Sequence, residues 1–215
     1  MPLTISMRLN PTLSTKQSEA RRKLAKALLG LATASLCHRA VSSTGGAAGR
    51  AENLLFDPRH EFLMMRHADA PGYGDPETMR LDDCASQRNL GDRGRQQAID
   101  TGHWLRQQRL KDLRVWSSPW CRCKDTARLL GFGEPIIKDF LGSFFRDPVR
   151  SATQTVTLSA ALKSWFDEEP SLALIVVTHQ VNMSAYTGRS ASSGEIFRIR
   201  ISSNGQAKSV ESMKT

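Results

Sequence analysis

The chain has little that would hold it in a membrane. Its apolar N-terminal stretch, Ala27 to Cys37, is about ten residues long, where a spanning helix needs about twenty. Acidic residues are almost missing from the first fifty positions: of the 30 Lys and Arg and the 21 Asp and Glu, residues 1–50 hold 8 and 1, leaving 22 and 20 for residues 51–215. Of the formal charge of +9, +7 therefore sits on the N-terminal segment and only +2 on the rest. A surface that reads nucleic acid belongs on the folded part, and that part is close to neutral, so no nucleic-acid partner is expected. Cysteine is scarce, with 4 in all. The one close pair, Cys121-Arg122-Cys123, is spaced too tightly for zinc, and no paired histidines accompany it. No metal and no other cofactor is expected. Without residues 1–50, three cysteines remain, enough for one disulfide from Cys84 to Cys121 or Cys123, which would suit an oxidising compartment. Ordinary buried thiols are the alternative.

Residues 1–50 read as an address or a disordered segment rather than as fold. Arg21-Arg22-Lys23-Leu24-Ala25-Lys26 precedes the apolar stretch, and Ala32-Thr33-Ala34 forms an A-x-A site. This resembles a bacterial twin-arginine export signal, so the expected localisation is exported or periplasmic, with cytoplasmic or organellar placement as alternatives. Residues 51–205 are expected to form one domain, and residues 206–215 a C-terminal tail.

From residue 51 onward, short apolar runs alternate with longer periodic segments and no internal repeat intervenes. This is the pattern of an α/β fold: a three-layer α/β/α sandwich around a mostly parallel sheet. Strands are expected at 62–65, 114–116, 135–137, 172–177 and 196–201, the fourth central because its apolar run is continuous, the last an edge because it alternates. Helices are expected from Asp92, as N-cap, to about Gln108, with Ala98, Gly102 and Leu105 on one face; from Pro119 to Leu130; and from Thr153 to Glu168, with Val156, Leu158, Leu162, Trp165 and Phe166.

Two histidines follow the most convincing strands, in Met64-Met65-Arg66-His67 and Val176-Val177-Thr178-His179. Ligands of an open α/β sheet bind beyond the carboxyl ends of its strands, so both side chains stand where substrate sits. The segment Ser117-Ser118-Pro119-Trp120-Cys121-Arg122 also follows a strand and opens a helix. There the Arg122 guanidinium fork joins oriented backbone N–H groups, an arrangement that favours a phosphate dianion.

These residues resemble the histidine phosphatase superfamily, which includes phosphoglycerate mutases and bacterial phosphohistidine phosphatases. The resemblance runs from Leu55 to Ile201. Arg66-His67-Ala68 is similar to the family's Arg-His-Gly; Leu90-Gly91-Asp92-Arg93-Gly94-Arg95-Gln96-Gln97-Ala98 to its L-T-x-x-G-x-x-Q-A; Ser117-Ser118-Pro119, Arg122 and Thr126-Ala127 to its S-S-P…R…T-A; and Thr178-His179 to its late T-H. The resemblance implies a phosphoglycerate mutase-like fold and a metal-independent phosphatase. His67 would form a phosphohistidine intermediate while Arg66, Arg122 and His179 hold the phosphoryl oxygens.

The general acid departs from the family. Mutase-like members carry a glutamate in an L-x-E element, whereas the matching stretch here is Leu141-Gly142-Ser143-Phe144-Phe145. Asp147 and Asp69 are the candidate replacements; with neither, the substrate would need an easily departing group. The missing glutamate argues against phosphoglycerate mutase, and a non-catalytic phosphate- or phosphoprotein-binding module is the other alternative. The loop from Ala70 to Gln87, with Tyr73, Met79, Arg80, Asp82 and Asp83, is expected to roof the cup. Gln180 and Asn182, opening a helix after His179, are expected to reach the phosphate or the leaving group. The expected partner is a small phosphorylated metabolite or a phosphoprotein.

Overall fold

A computed structural model of the chain describes residues 56–213. The twin-arginine stretch, the A-x-A site and Cys37 lie outside the described residues. The order is β1 (Glu61–Arg66), α1 (Asp92–Gln107), β2 (Leu113–Ser117), α2 (Cys121–Leu129), β3 (Ile136–Ile137), α3 (Arg150–Glu168), β4 (Ala173–Thr178), α4 (Gln180–Thr187), β5 (Ile196–Ile201) and β6 (Ala207–Met213).

The strands form one sheet in the order β3-β2-β4-β1-β5-β6. β3, β2, β4 and β1 run parallel, with Leu63 beside Ile175 and Trp116 beside Val176, while β5 is antiparallel to β1 and β6 to β5. Because side chains alternate along a strand, the sheet feeds two cores. Phe62, Met64, Leu174, Val176, Phe197 and Ile199 face α3 and α4, where Leu158, Leu162, Phe166, Met183 and Tyr186 meet them. Leu63, Met65, Val115, Ile175 and Val177 face the other way, toward Leu105 of α1 and Cys123, Ala127 and Leu130 in or beside α2. Every residue of β4 is buried, as its unbroken apolar run requires. The expected three-layer α/β/α sandwich with a mostly parallel sheet is the fold observed.

Two close approaches press α1 against its neighbours. A Cβ on Gly94 would stand 1.9 Å from the carbonyl oxygen of Asp69, and one on Gly102 would stand 2.2 Å from that of Leu130. Only glycine fits at either place, and the first sets the helix directly behind the loop that carries His67. At the opposite end of β1, buried Glu61 is paired by Arg198 at 2.9 Å and Arg200 at 2.8 Å.

Four expectations need correction. Residues 207–213 are not a tail: they form β6, which pairs along the whole of β5, so Ile196–Ile201 is not an edge. Asp92 is the first residue of α1 rather than its cap, which is Gly91; its carboxylate still favours the positive end of the helix. Val156 is 69% exposed, the buried stripe of α3 running through Gln154, Leu158, Leu162 and Phe166. The third strand keeps only Ile136 and Ile137, both half exposed at the short edge of the sheet.

Candidate active site

The carboxyl ends of β1, β2 and β4 lie side by side, and the ladder continues one step past them. The His67 N–H donates to Thr178 O at 2.9 Å and the Ser118 N–H to Val177 O at 3.0 Å. These bonds fix the backbone of His67 and Ser118, where the loops after β1 and β2 begin. α2 then starts at Cys121, which puts Arg122 in its first turn, and α4 starts immediately after His179.

His67 is 2% exposed, and its Nδ1 stands 2.8 Å from the carbonyl oxygen of Ala68. A carbonyl can only accept, so the hydrogen is on Nδ1 and the lone pair on Nε2. The Ala68 N–H donates to Thr126 Oγ1 at 3.0 Å, and that hydroxyl donates to Arg122 O at 2.7 Å, tying the His67 loop to α2. Burial, reinforced by the charge of Arg122, pushes the His67 pKa down to about 3, so the imidazole is neutral at physiological pH. Burial and then Arg122 hold His179 well below its ordinary value too. Its ring meets the His67 ring edge to face at 5.5 Å and the Trp120 ring at 5.2 Å. Ser118 Oγ lies 2.8 Å from His179 Nε2.

Of the sequence-predicted residues, Arg66, His67, Arg122, His179 and Gln180 line one cleft. Arg66 is half-buried and donates to Ala191 O at 2.9 Å. Gln180 donates to Ser190 Oγ at 2.7 Å on the rim. Asn182 does not reach the cleft, because it is buried on the other side of α4 and donates to Gly142 O at 3.0 Å. Asp147 is exposed outside the cleft. Asp69 is also outside its lining, and its peptide N–H donates to Gln97 Oε1 of α1 at 2.9 Å. The roof is real but shorter than expected: Gly72, Tyr73, Gly74 and Asp75 line the cleft, whereas Arg80 pairs with Asp82 in solvent.

The cleft also contains two charged residues that the motifs do not mark. Arg88 donates through its guanidinium to the carbonyls of Ala70 and Gly72, and so holds the roof loop in place. Asp75 is the only carboxylate among the cleft-lining residues described, and it spans the Arg122 fork at 2.7 and 3.1 Å. Across the mouth, Tyr73 and Phe145 meet edge to face at 5.3 Å. Cys84, in the roof loop, is bonded to Cys121 at the start of α2, 37 residues away, which resolves the pairing left open by the sequence. Cys123 is free and buried, its thiol pushed up to about 12 by burial. Among the described residues, no three His, Cys, Asp or Glu side chains are grouped as a metal site, and no helix is long and apolar enough to cross a membrane.

The sequence model described as histidine phosphatase superfamily (branch 1) matches residues 62–140, which include the first three motifs. The protein histidine phosphatase SixA, solved with tungstate, is 17% identical, with a TM-score of 0.50 over 71% of this chain and 96% of its own. A mycobacterial glucosyl-3-phosphoglycerate phosphatase is 16% identical, with a TM-score of 0.51 over 65% and 92%. A phosphoserine phosphatase from Entamoeba histolytica is 13% identical, with a TM-score of 0.51 over 72% and 98%. No curated protein matches the sequence. Residues 62–140 thus match the histidine phosphatase superfamily, and the fold of the described residues is similar to that of the phosphatases above. These similar structures are phosphatases of the phosphoglycerate mutase-like fold.

Proposed function

We propose that the chain is a phosphatase, a phosphoric monoester hydrolase that works through a phosphohistidine on His67. One observation carries this reading: the Ala68 carbonyl fixes His67 as a neutral imidazole whose Nε2 lone pair is free, in a cleft walled by Arg66, Arg88, Arg122 and His179. In-line attack by Nε2 on phosphorus expels the leaving oxygen on the far side. The guanidinium groups and His179 hold the three other oxygens and neutralise their growing charge. Water then attacks phosphorus, the P–N bond breaks and its electron pair returns to Nε2. The low pKa of His67 keeps the nucleophile unprotonated through the physiological range.

Ser143, in place of the mutase glutamate, favours hydrolysis over isomerisation, and the apolar Tyr73–Phe145 pair at the mouth suits a phosphorylated metabolite or phosphoprotein group, phosphohistidine included. The Cys84–Cys121 bond supports an oxidising compartment and hence export.

The test is hydrolysis of 4-nitrophenyl phosphate in excess chelator. His67→Ala is expected to lose on the order of 10⁴-fold in kcat, and the wild-type chain to yield an acid-labile, base-stable phosphoryl label on His67. Equal rates for the two proteins would refute the reading.

A further inference from the structure

The roof loop puts a carboxylate where a substrate phosphate has to bind. Both oxygens of Asp75 are engaged: Arg122 Nη1 and Nη2 donate to Oδ1 at 2.7 Å and Oδ2 at 3.1 Å, the Arg88 backbone N–H donates to Oδ1 at 3.1 Å, and Trp120 Nε1 donates to Oδ2 at 3.2 Å. Four N–H donors thus converge on one side chain that is only 11% exposed. A bidentate guanidinium–carboxylate pair uses the same fork geometry as guanidinium–phosphate. A phosphoryl group that takes Arg122 must therefore displace Asp75. The displaced group does not leave the cleft, because the Arg146 guanidinium, reaching from beyond Phe145, donates to the backbone carbonyls of Asp75 and Pro76. The backbone is pinned and only the side chain has to turn.

We infer that Asp75 is the proton donor of this site, brought into action by exchange: the incoming phosphoryl group takes Arg122, and the freed carboxyl turns to the leaving oxygen. The inference rests on the phosphatase reading above. It also supplies the acid that Ser143, Asp69 and Asp147 do not.

The surroundings give the exchange its proton. Around Asp75 stand Arg122 on α2, Arg88 and Arg146 from the loops, Arg66 at the end of β1, and the neutral imidazoles of His67 and His179. While Asp75 is paired with Arg122, burial raises its pKa, but the hydrogen bonds and charge of Arg122 outweigh burial, and the carboxyl is held below its ordinary value as the anion. Exchange removes the Arg122 pairing and sets a negatively charged phosphoryl group nearby, and both changes favour the protonated form. Asp75 takes up a proton from water as it turns. When the Nε2–P bond forms and the P–O bond breaks, that proton passes to the departing oxygen and leaves a carboxylate. In the second half, the carboxylate accepts a proton from the attacking water as the O–P bond forms and the P–N bond breaks, which restores the acid.

The experiment compares the full chain with Asp75→Asn on phenyl phosphate, a poor leaving group, and on 4-nitrophenyl phosphate, a good one. Orthovanadate affinity is measured by calorimetry on both proteins. The variant is expected to lose on the order of 10²-fold in kcat on phenyl phosphate and several-fold less on 4-nitrophenyl phosphate, with Asp75→Glu restoring part of the difference. Vanadate is expected to bind Asp75→Asn on the order of tenfold more tightly, because no carboxylate competes for Arg122. Equal losses on the two esters, or vanadate binding no tighter than in the wild type, would overturn the assignment while His67-dependent hydrolysis still stands. Absence of any His67-dependent hydrolysis would remove the phosphatase reading and this inference with it.

Discussion

His179 shows how a single hydroxyl can decide the use of a histidine. Arg122 Nη2 approaches its Nδ1 at 3.4 Å, which leaves the ring hydrogen on Nε2, directed at Ser118 Oγ 2.8 Å away. To donate to a phosphoryl oxygen, Nδ1 must carry the hydrogen, and Ser118 must turn to donate to Nε2. A hydroxyl can serve as either partner. Ser118→Ala is therefore expected to lower kcat about tenfold, with ¹⁵N imidazole spectra of the vanadate complex showing His179 as a mixture of tautomers. A single unchanged tautomer would count against this role. Arg66, His67, Arg122 and His179 were legible in the sequence because each lies within a few residues of a strand end. Asp75 and Arg88 were not, because they come from an irregular loop, where no period says which side chain turns inward. Asn182 misled for the opposite reason: its helix was correctly placed, but one step along a helix turns a side chain by about 100°, away from the cleft and toward Gly142.

At the scale of elements, the position of α1 is controlled by one missing atom. A methyl on Gly94 would overlap the Asp69 carbonyl, which is backbone and cannot swing aside. Gly94→Ala is expected to cost about 2–3 kcal/mol in chemical denaturation and to reduce turnover as well, since the shift falls on the loop beside His67. Loss of stability with full turnover would show that α1 does not buttress His67. The parallel strands were readable because burial on both faces demands unbroken apolar runs. β6 was not, since only Ala207, Val210 and Met213 are partly covered, a spacing of three that resembles no strand pattern. It is a strand because β5 needs a hydrogen-bonding partner, and that need is invisible in the segment Ala-Lys-Ser-Val-Glu-Ser-Met itself.

For the described domain as a whole, the buried imidazoles set a pH limit. Both have folded pKa values depressed from 6.5, that of His67 to about 3, so the unfolded chain binds more protons below pH 6.5. Stability is then present above pH 6.5 and drains as pH falls toward 3. Glu61 acts in the same sense: burial raises its pKa, but Arg198 and its other partners hold it below the ordinary value. Each histidine contributes a slope of roughly 1.4 kcal/mol per pH unit. Urea unfolding at pH 7 and pH 5 is expected to differ by about 4 kcal/mol, with vanadate restoring part of the loss. Equal stabilities would mean that one or both imidazoles charge in the folded state.

The same sheet has unequal margins. At β3 it stops after two residues, too few to seat another strand, while among the described residues no further strand pairs with the seven-residue β6. Lys208 and Glu211 stand exposed on that margin, the kind of charge that discourages strand-to-strand adhesion between molecules. Removal of β6 would transfer the margin to β5, whose Ile196, Phe197 and Ile199 are fully buried. Deletion of residues 207–213 is therefore expected to make the domain self-associate, which light scattering would show.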